Sequence, residues 1–283
     1  MLERLTHTPI VVSDQEKALK FYTEVLEFEK RADYQQPGNP RWLTVAPKGE
    51  EIELILVQGK SRVDLHLPPE AGTGGYHWAL ATADCRRDFE RLKARGVDFH
   101  VGSYTAPQKQ AWGLTVAFKD PDGNQFALVQ PNFIGKAYQA MNRRKNHVAN
   151  AAQKLTHVPI LVNDQDKALR FYTEVLGFEK RQDYQQSGRP RWLTVALKGQ
   201  ELEFVILKGE YIIDPRPPAD KDSGGNHWVL RTNDCQEDVK VFKARGVRFK
   251  EPAPAATPFG IAAYFTDLDG NHFCLLQAAK TQR

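Results

Sequence analysis

Residues 5–30 read LTHTPIVVSDQEKALKFYTEVLEFEK, and residues 155–180 read LTHVPILVNDQDKALRFYTEVLGFEK. Each copy carries two signals in a fixed order. Thr6 to Val12 is a short run rich in β-branched side chains, which suit a pleated, half-buried surface, so it reads as a strand. Ala18, Leu19, Tyr22, Val25 and Leu26 then recur at helical spacing. Ser13 with Glu16 three residues on makes a capping box for that helix, and Asn163 with Asp166 is a weaker version. Gly177 stands where a helix commonly ends on a left-handed residue, whereas the first copy has Glu27 there.

Outward from this stretch the repeat continues through almost the whole chain. Residues 5–49 and 155–199 agree at roughly three-quarters of positions. GGYHWALATADC is answered by GGNHWVLRTNDC, and DPDGNQFALVQ by DLDGNHFCLLQ. After the opening strand and helix come the strands FEKRADY, RWLTVAP and IELILVQ. The pattern then restarts with strand HWALAT, helix DCRRDFERLKAR closed by Gly96, and strands VDFH, LTVAFKD and QFALVQ. The DPDGN segment is a turn, with Asp120, Asp122, Asp267 and Asp269 in structural roles. The expected fold class is α+β: four βαβββ motifs in two tandem modules, residues 1–131 and 152–283, joined by a connector over 132–151.

Composition excludes several classes of function. With 283 residues, 41% hydrophobic and 26% charged, the chain has the make-up of a soluble globular protein. A net charge of +4, spread over both halves, makes no nucleic-acid groove, and NRRKN at 142–146 reads as a solvated linker. No run approaches the ~18–20 apolar residues of a membrane span. The opening MLERLTH passes straight into a strand with no signal-peptide pattern. Cys85, Cys235 and Cys274 are too few and scattered for a disulfide framework, so a cytoplasmic location is expected.

Strand alternation sorts the side chains onto faces. It puts His7 with Leu5, Pro9 and Val11. It puts Ile52, Leu54 and Leu56 on a helix-packing face and Glu51, Glu53, Ile55 and Val57 on the other. His77 shares a face with Ala79 and Ala81, opposite Trp78 and Leu80, which with Trp228 are expected in the core. An acid between apolar neighbours is costly to bury unless paired or metal-bound. His157, Glu203 and His227 repeat the arrangement, so two imidazoles and one carboxylate per module are expected on one concave surface.

The T-H-x-P-x-V-x-D opening, the mid-module G-x-H-W-x-L and the terminal D-P-D-G-N-x-F-x-L strand resemble the vicinal oxygen chelate superfamily. That group includes glyoxalase I, extradiol dioxygenases and bleomycin-resistance proteins. The resemblance implies paired motifs that curl into a cup around a divalent metal (Fe, Mn, Zn or Ni). It implies His7, Glu53 and His77, and again His157, Glu203 and His227, as ligands. Where the superfamily usually has a fourth, carboxylate ligand, this chain has Ala127 and Cys274. Cys274 is either an extra ligand or a small hydrophobe in a packed strand.

The implied activity is that of a metal-dependent enzyme acting on a small oxygenated organic substrate, of lyase, isomerase or dioxygenase type. The absent fourth carboxylate argues against glyoxalase I itself. The alternative is a metal-free binding or sequestration protein of the bleomycin-resistance type. Gln36, Arg41 and Trp112, with Gln186, Arg191 and Phe259, are candidates to line the substrate pocket, the last of each trio as part of a closing loop. The implied partner is a small molecule, with no nucleic acid or membrane, in a monomer or homodimer. Each cup can form within a module, or between modules as His7/Glu53 with His227/Cys274 and His157/Glu203 with His77/Ala127.

Overall fold

The computed structural model describes residues 2–35, 40–65, 78–101, 105–110, 113–132, 154–185, 191–214, 228–257 and 259–279. In the first module β1 (Leu2–Val12) leads into α1 (Gln15–Lys20), which runs on as a π-helical turn over Phe21–Val25. Strands β2 (Glu29–Tyr34), β3 (Trp42–Ala46), β4 (Glu53–Gln58) and β5 (Lys60–Leu65) follow. The second motif is β6 (Trp78–Ala81), α2 (Cys85–Ala94), β7 (Gln108–Gln110), β8 (Gly113–Lys119) and β9 (Gln125–Pro131). The second module repeats this as β10 (Lys154–Val162), α3 (Gln165–Arg170) with its π turn at Phe171–Val175, β11 (Glu179–Tyr184), β12 (Trp192–Ala196) and β13 (Glu203–Asp214). It ends with β14 (Trp228–Thr232), α4 (Cys235–Ala244), β15 (Ala255–Thr257), β16 (Gly260–Thr266) and β17 (His272–Ala278).

Local chemistry departs from the sequence reading at three places. The N-cap of α1 is Asp14, not Ser13: its extended backbone lets the carboxylate accept from the amides of Glu16 and Lys17. Ser13 instead gives its own amide to Asp122 of the DPDGN turn, at 2.8 Å. Asp164 caps α3 in the same way. Second, VDFH makes only an isolated bridge from Asp98 to Lys119, and the edge strand is β7. Third, a bulge between Leu5 and His7 rotates Leu5 into the core, so the two residues face opposite ways. At the helix end, Glu27 takes the left-handed conformation (φ 63°) that Gly177 takes in the second module (φ 80°). Ion pairs from Glu27 to Arg91 and Arg95 offset a strain of about 1–2 kcal/mol.

The strand order shows how the modules combine. One sheet runs β15-β16-β17-β14-β1-β4-β3-β2, and the other runs β11-β12-β13-β10-β6-β9-β8-β7. Each sheet therefore joins the first motif of one module to the second motif of the other, and the cups form between modules. The seams are the antiparallel pairs β1–β14 and β10–β6. The modules meet again where β5 pairs with the distal half of β13, Arg62 opposite Ile212.

The helix-facing side of both sheets is a continuous core that includes Leu54, Leu56, Trp78, Leu80, Phe126 and Trp228. The expected core tryptophans are in it. Tyr22, set by the π turn, donates its hydroxyl to the buried Asp120, whose other oxygen accepts the Asp122 and Asn124 amides. Tyr172 and Asp267 repeat the contact.

Because β1 and β6 each complete a sheet only with the other module, residues 1–131 expressed alone are expected to pair with a second copy of themselves. Light scattering on that fragment should report a dimer, and a well-folded monomer would contradict the seam assignment.

Candidate functional site

The side of each sheet away from the helices carries the predicted polar residues. In the first cup, strand register sets Glu53, His7, Val229, Cys274 and Tyr264 side by side across β4, β1, β14, β17 and β16. In the second cup the same row reads Glu203, His157, Ala79, Ala127 and Ala117. Register partners share a face, so each row projects into one cup. His77 and His227, with Gln36, Trp112 and Gln186, lie outside the described residues.

The histidine orientation follows from a hydrogen bond across the seam. Thr6 donates its single hydroxyl proton to the carbonyl of Val229, at 3.2 Å. Its 2.9 Å contact with His7 Nδ1 must then be Nδ1–H donating to the hydroxyl oxygen. This fixes the tautomer and leaves the Nε2 lone pair facing Glu53, 3.6 Å from Oε2. The second cup repeats every part: Thr156 donates to the Ala79 carbonyl, His157 Nδ1 meets that hydroxyl at 2.9 Å, and Nε2 lies 3.9 Å from Glu203 Oε2.

The two carboxylates nevertheless differ. Thr44 donates to Glu53 Oε2 at 2.5 Å. Burial pushes Glu53 up, but hydrogen bonding from His7 in the form that also carries a proton on Nε2, and then the Thr44 hydroxyl, more than offset it and hold the carboxyl below its ordinary range. Burial pushes Glu203 up, and Thr194 and Arg181 compensate only in part. Glu203 Oε2, the oxygen nearest His157, is buried with no hydrogen-bond donor. Burial also pushes His157 down to about 4, so this imidazole is neutral at physiological pH.

A second register, set by the helix caps, refines the match between motifs. Gln58, Gln130 and Gln277 each accept the first amide of the preceding helix, from Gln15, Cys85 and Cys235. Five residues back from each lie Glu53, Gln125 and His272; three back lie Ile55, Ala127 and Cys274. Within each cup's pseudo-twofold, Glu53 is thus the mate of His272, and Glu203 the mate of Gln125. Sequence reasoning missed both His272 and Gln125. The signal that finds them is the Gln that ends each of these last strands.

The remaining candidates divide. Arg41 spends its guanidinium on Asp33, at 2.7 and 2.9 Å, and on Glu16, and Arg191 does the same with Asp183 and Asp166. These arginines clamp the strand hairpin to the helix. The next residue reaches the site instead: Trp42 sits edge-on to His7 at 5.6 Å, and Trp192 packs against His157 at 5.7 Å. Trp42 also stacks on Phe259 at 6.5 Å and on Tyr34 at 6.4 Å, a shelf built from both modules. Beside Phe259, Gly260 lets β16 lie close on β17, because a Cβ there would lie 2.1 Å from the Gln277 carbonyl oxygen. Cys274 packs with Val229 and Ala262 in an apolar cluster flanked by Trp42 and Tyr264. Cys85 and Cys235 are buried, and burial pushes their thiols up to about 12 and 11.

As a cation site, each His–Glu pair lies within the ~4.2 Å that one ion can bridge with ligands at ~2.1 Å. A donorless buried oxygen and a histidine locked with its lone pair outward are the donor set a cation satisfies. Among the described residues no three His, Cys, Asp or Glu side chains gather, so this part of each cup supplies two donors.

Paired βαβββ motifs from two modules, curled around a His–Glu pair, define a cup-shaped small-molecule fold. The chain belongs to the Glyoxalase/Bleomycin resistance protein/Dioxygenase superfamily, whose profile matches residues 4–128 and 154–275. It is 33% identical over 133 residues to protein YetH of Bacillus subtilis, covering 45% of this chain and 98% of that one. It is 26% identical over 251 residues to Lactoylglutathione lyase GLX1 of Arabidopsis thaliana, covering 85% and 77%. Its fold is similar to that of glyoxalase I from Zea mays, with a TM-score of 0.64 at 20% identity, over 97% of this chain and 92% of that one.

The carboxylates should respond oppositely to neutralisation. Glu203 has a folded pKa above its unfolded one, so its ionisation costs stability once the pH exceeds the unfolded value of about 4.5. Glu53 has a folded pKa below its unfolded one, so it contributes stability above about 4.5 that is lost as pH falls. At pH 7.5, in chelator, Glu203→Gln should raise and Glu53→Gln lower unfolding stability by about 1 kcal/mol each in urea melts. Equal shifts of the same sign would contradict the assignment. His157, depressed from 6.5 to about 4, should add an acid limb in which stability falls between those values, and His157→Asn should flatten it.

Proposed function

We propose that the chain is a metal-dependent enzyme of this superfamily, acting on a small oxygenated organic substrate by lyase, isomerase or dioxygenase chemistry. The observation that carries this reading is the twice-built arrangement in which a threonine crosses the seam, fixes a histidine tautomer and aims its lone pair at a carboxylate. A bound divalent ion (Fe, Mn, Zn or Ni) would supply Lewis-acid polarisation of vicinal substrate oxygens. His7 with Glu53, or His157 with Glu203, would hold it, and Thr6 and Thr156 would keep the imidazoles in the ligating tautomer. Trp42 and Trp192 exclude water from one side of each imidazole.

The reading argues against glyoxalase I chemistry that depends on a proton-transferring carboxylate in the fourth position. Neither the positions named from the sequence, Ala127 and Cys274, nor the register mates of the two glutamates, Gln125 and His272, carry a carboxylate. The protein is therefore expected to show no lactoylglutathione lyase turnover with either zinc or nickel. A metal-loaded sample that turns over at a normal enzymatic rate would overturn that part of the reading.

Metal analysis of untagged protein should find a divalent ion, and the Glu53→Ala/Glu203→Ala double variant should lose it. A chain that takes up no ion on titration would refute the enzyme reading. The aromatic shelf of Tyr34, Trp42 and Phe259 favours a second reading, a metal-free binding protein for a flat apolar molecule. That reading expects ligand-induced thermal stabilisation that survives both chelator and the double substitution.

A further inference from the structure

Arg41 and Arg191, the arginines named from the sequence as pocket candidates, are spent on carboxylates. A second pair stands in the same hairpins. β2 sets Lys30 opposite Val45 and Ala32 opposite Thr44, so Arg31 is an extra residue with no mate on β3. β11 sets Lys180 opposite Val195 and Gln182 opposite Thr194, and leaves Arg181 in the same position. A bulge of this kind re-aims a side chain. It lies beside Thr44, which donates to Glu53, and the Arg31 charge helps to hold that carboxyl below its ordinary range. Arg181 acts on Glu203 in the same direction.

These guanidiniums are anchored but not consumed. Arg31 donates from Nη2 to the Glu50 carbonyl at 3.1 Å, and Glu29 lies 3.0 Å from that same nitrogen. Arg181 Nη2 reaches the carbonyls of Leu197 and Gln200 at 3.5 and 3.4 Å, with Glu179 3.3 Å from Nη1. Among the described residues nothing accepts a hydrogen bond from Nε of either arginine, or from Nη1 of Arg31. Glu29 and Glu179 are 40% and 42% exposed, and ion pairs of that kind are weak, so an incoming carboxylate displaces them at little cost. The carbonyls meanwhile hold each arginine at the turn that leads into Glu53 or Glu203.

Charge balance points the same way. A divalent ion more than neutralises the one glutamate beside it, and the arginine adds to the positive excess. A cup so loaded favours an anionic guest over a neutral one.

We propose that Arg31 and Arg181 are the specificity residues of the two cups: each receives a carboxylate set apart from the vicinal oxygens, so the substrate is a small oxygenated carboxylic acid. This rests on the metal-dependent reading above and narrows its substrate class. Both arginines project from a bulge of matching register, so the rule holds for either cup.

The test compares 2-oxoglutarate with its 5-methyl ester, which share vicinal oxygens and differ in charge at the far end. Chelator-stripped full-length protein is loaded with Co(II), and each compound is titrated by calorimetry. The acid should bind at least about tenfold more tightly than the ester. The Arg31→Gln/Arg181→Gln variant should lose that preference with its affinity for the ester unchanged, and Arg31→Lys/Arg181→Lys should keep part of it. Thermal melts report whether the variants fold, and the wild-type comparison decides the matter if they do not. Cobalt uptake with no preference for the acid, or a preference that survives the glutamine variant, would overturn the arginine assignment and leave the metal reading standing. No Co(II) uptake at all would overturn both.

Discussion

The site depends on a hydroxyl proton given across a seam. Thr6 reaches the carbonyl of Val229 in the other module, and Thr156 reaches that of Ala79. Only because that proton is spent does each neighbouring histidine donate from Nδ1 and present Nε2 to its carboxylate. The orientation of each imidazole is thereby coupled to the pairing of β1 with β14 and of β10 with β6. A module separated from its partner would retain the threonine and histidine but lose the acceptor that fixes them. This is a physical reason for keeping two modules in one chain: covalent linkage raises the effective concentration of each half-cup for the other.

Duplication on this plan yields two sites that need not stay alike. The helix-facing sides of the sheets are similar because both must fill the same volume under similar helices, with Leu54 and Phe204 or Trp78 and Trp228 in matching places. The concave sides bear no such constraint. Val229 against Ala79, Cys274 against Ala127 and Tyr264 against Ala117 change the floor of one cup relative to the other. Ile55 and Val205, mates of Cys274 and Ala127, leave apolar side chains where more polar donors could have stood. The polarity of each cup is concentrated one step along the strand, at the Glu, His and Gln positions.

Much of this was legible in the sequence, for definite reasons. Alternation in IELILVQ separates Leu54 and Leu56 from Glu53, and the structure divides them in the same way, because a strand has no freedom to turn neighbouring side chains to one face. The βαβββ order was readable because its helices and turns are marked by local chemistry. What escaped was non-local or depended on one residue's geometry. The bulge that parts Leu5 from His7 breaks the alternation rule without any glycine to announce it. Asp14 displaced Ser13 as cap because the Ser13 amide was claimed by Asp122, more than a hundred residues away. The choice between cups within and between modules rests on strand order, about which periodicity is silent. The engagement of Arg41 and Arg191 could be read only once Asp33 and Asp183 were seen beside them.

The central claim is that a histidine and a glutamate of one module, oriented by a threonine bond to the other, form a cation site on the shared sheet. The most direct measurement is anomalous diffraction, at the metal's absorption edge, from crystals of the metal-loaded full-length chain. The account predicts a peak bonded to His157 Nε2 and the Glu203 carboxylate, with Thr156 still hydrogen-bonded to the Ala79 carbonyl. A metal-loaded crystal with its peak elsewhere, or with His157 turned so that Nδ1 is the ligand, would contradict it.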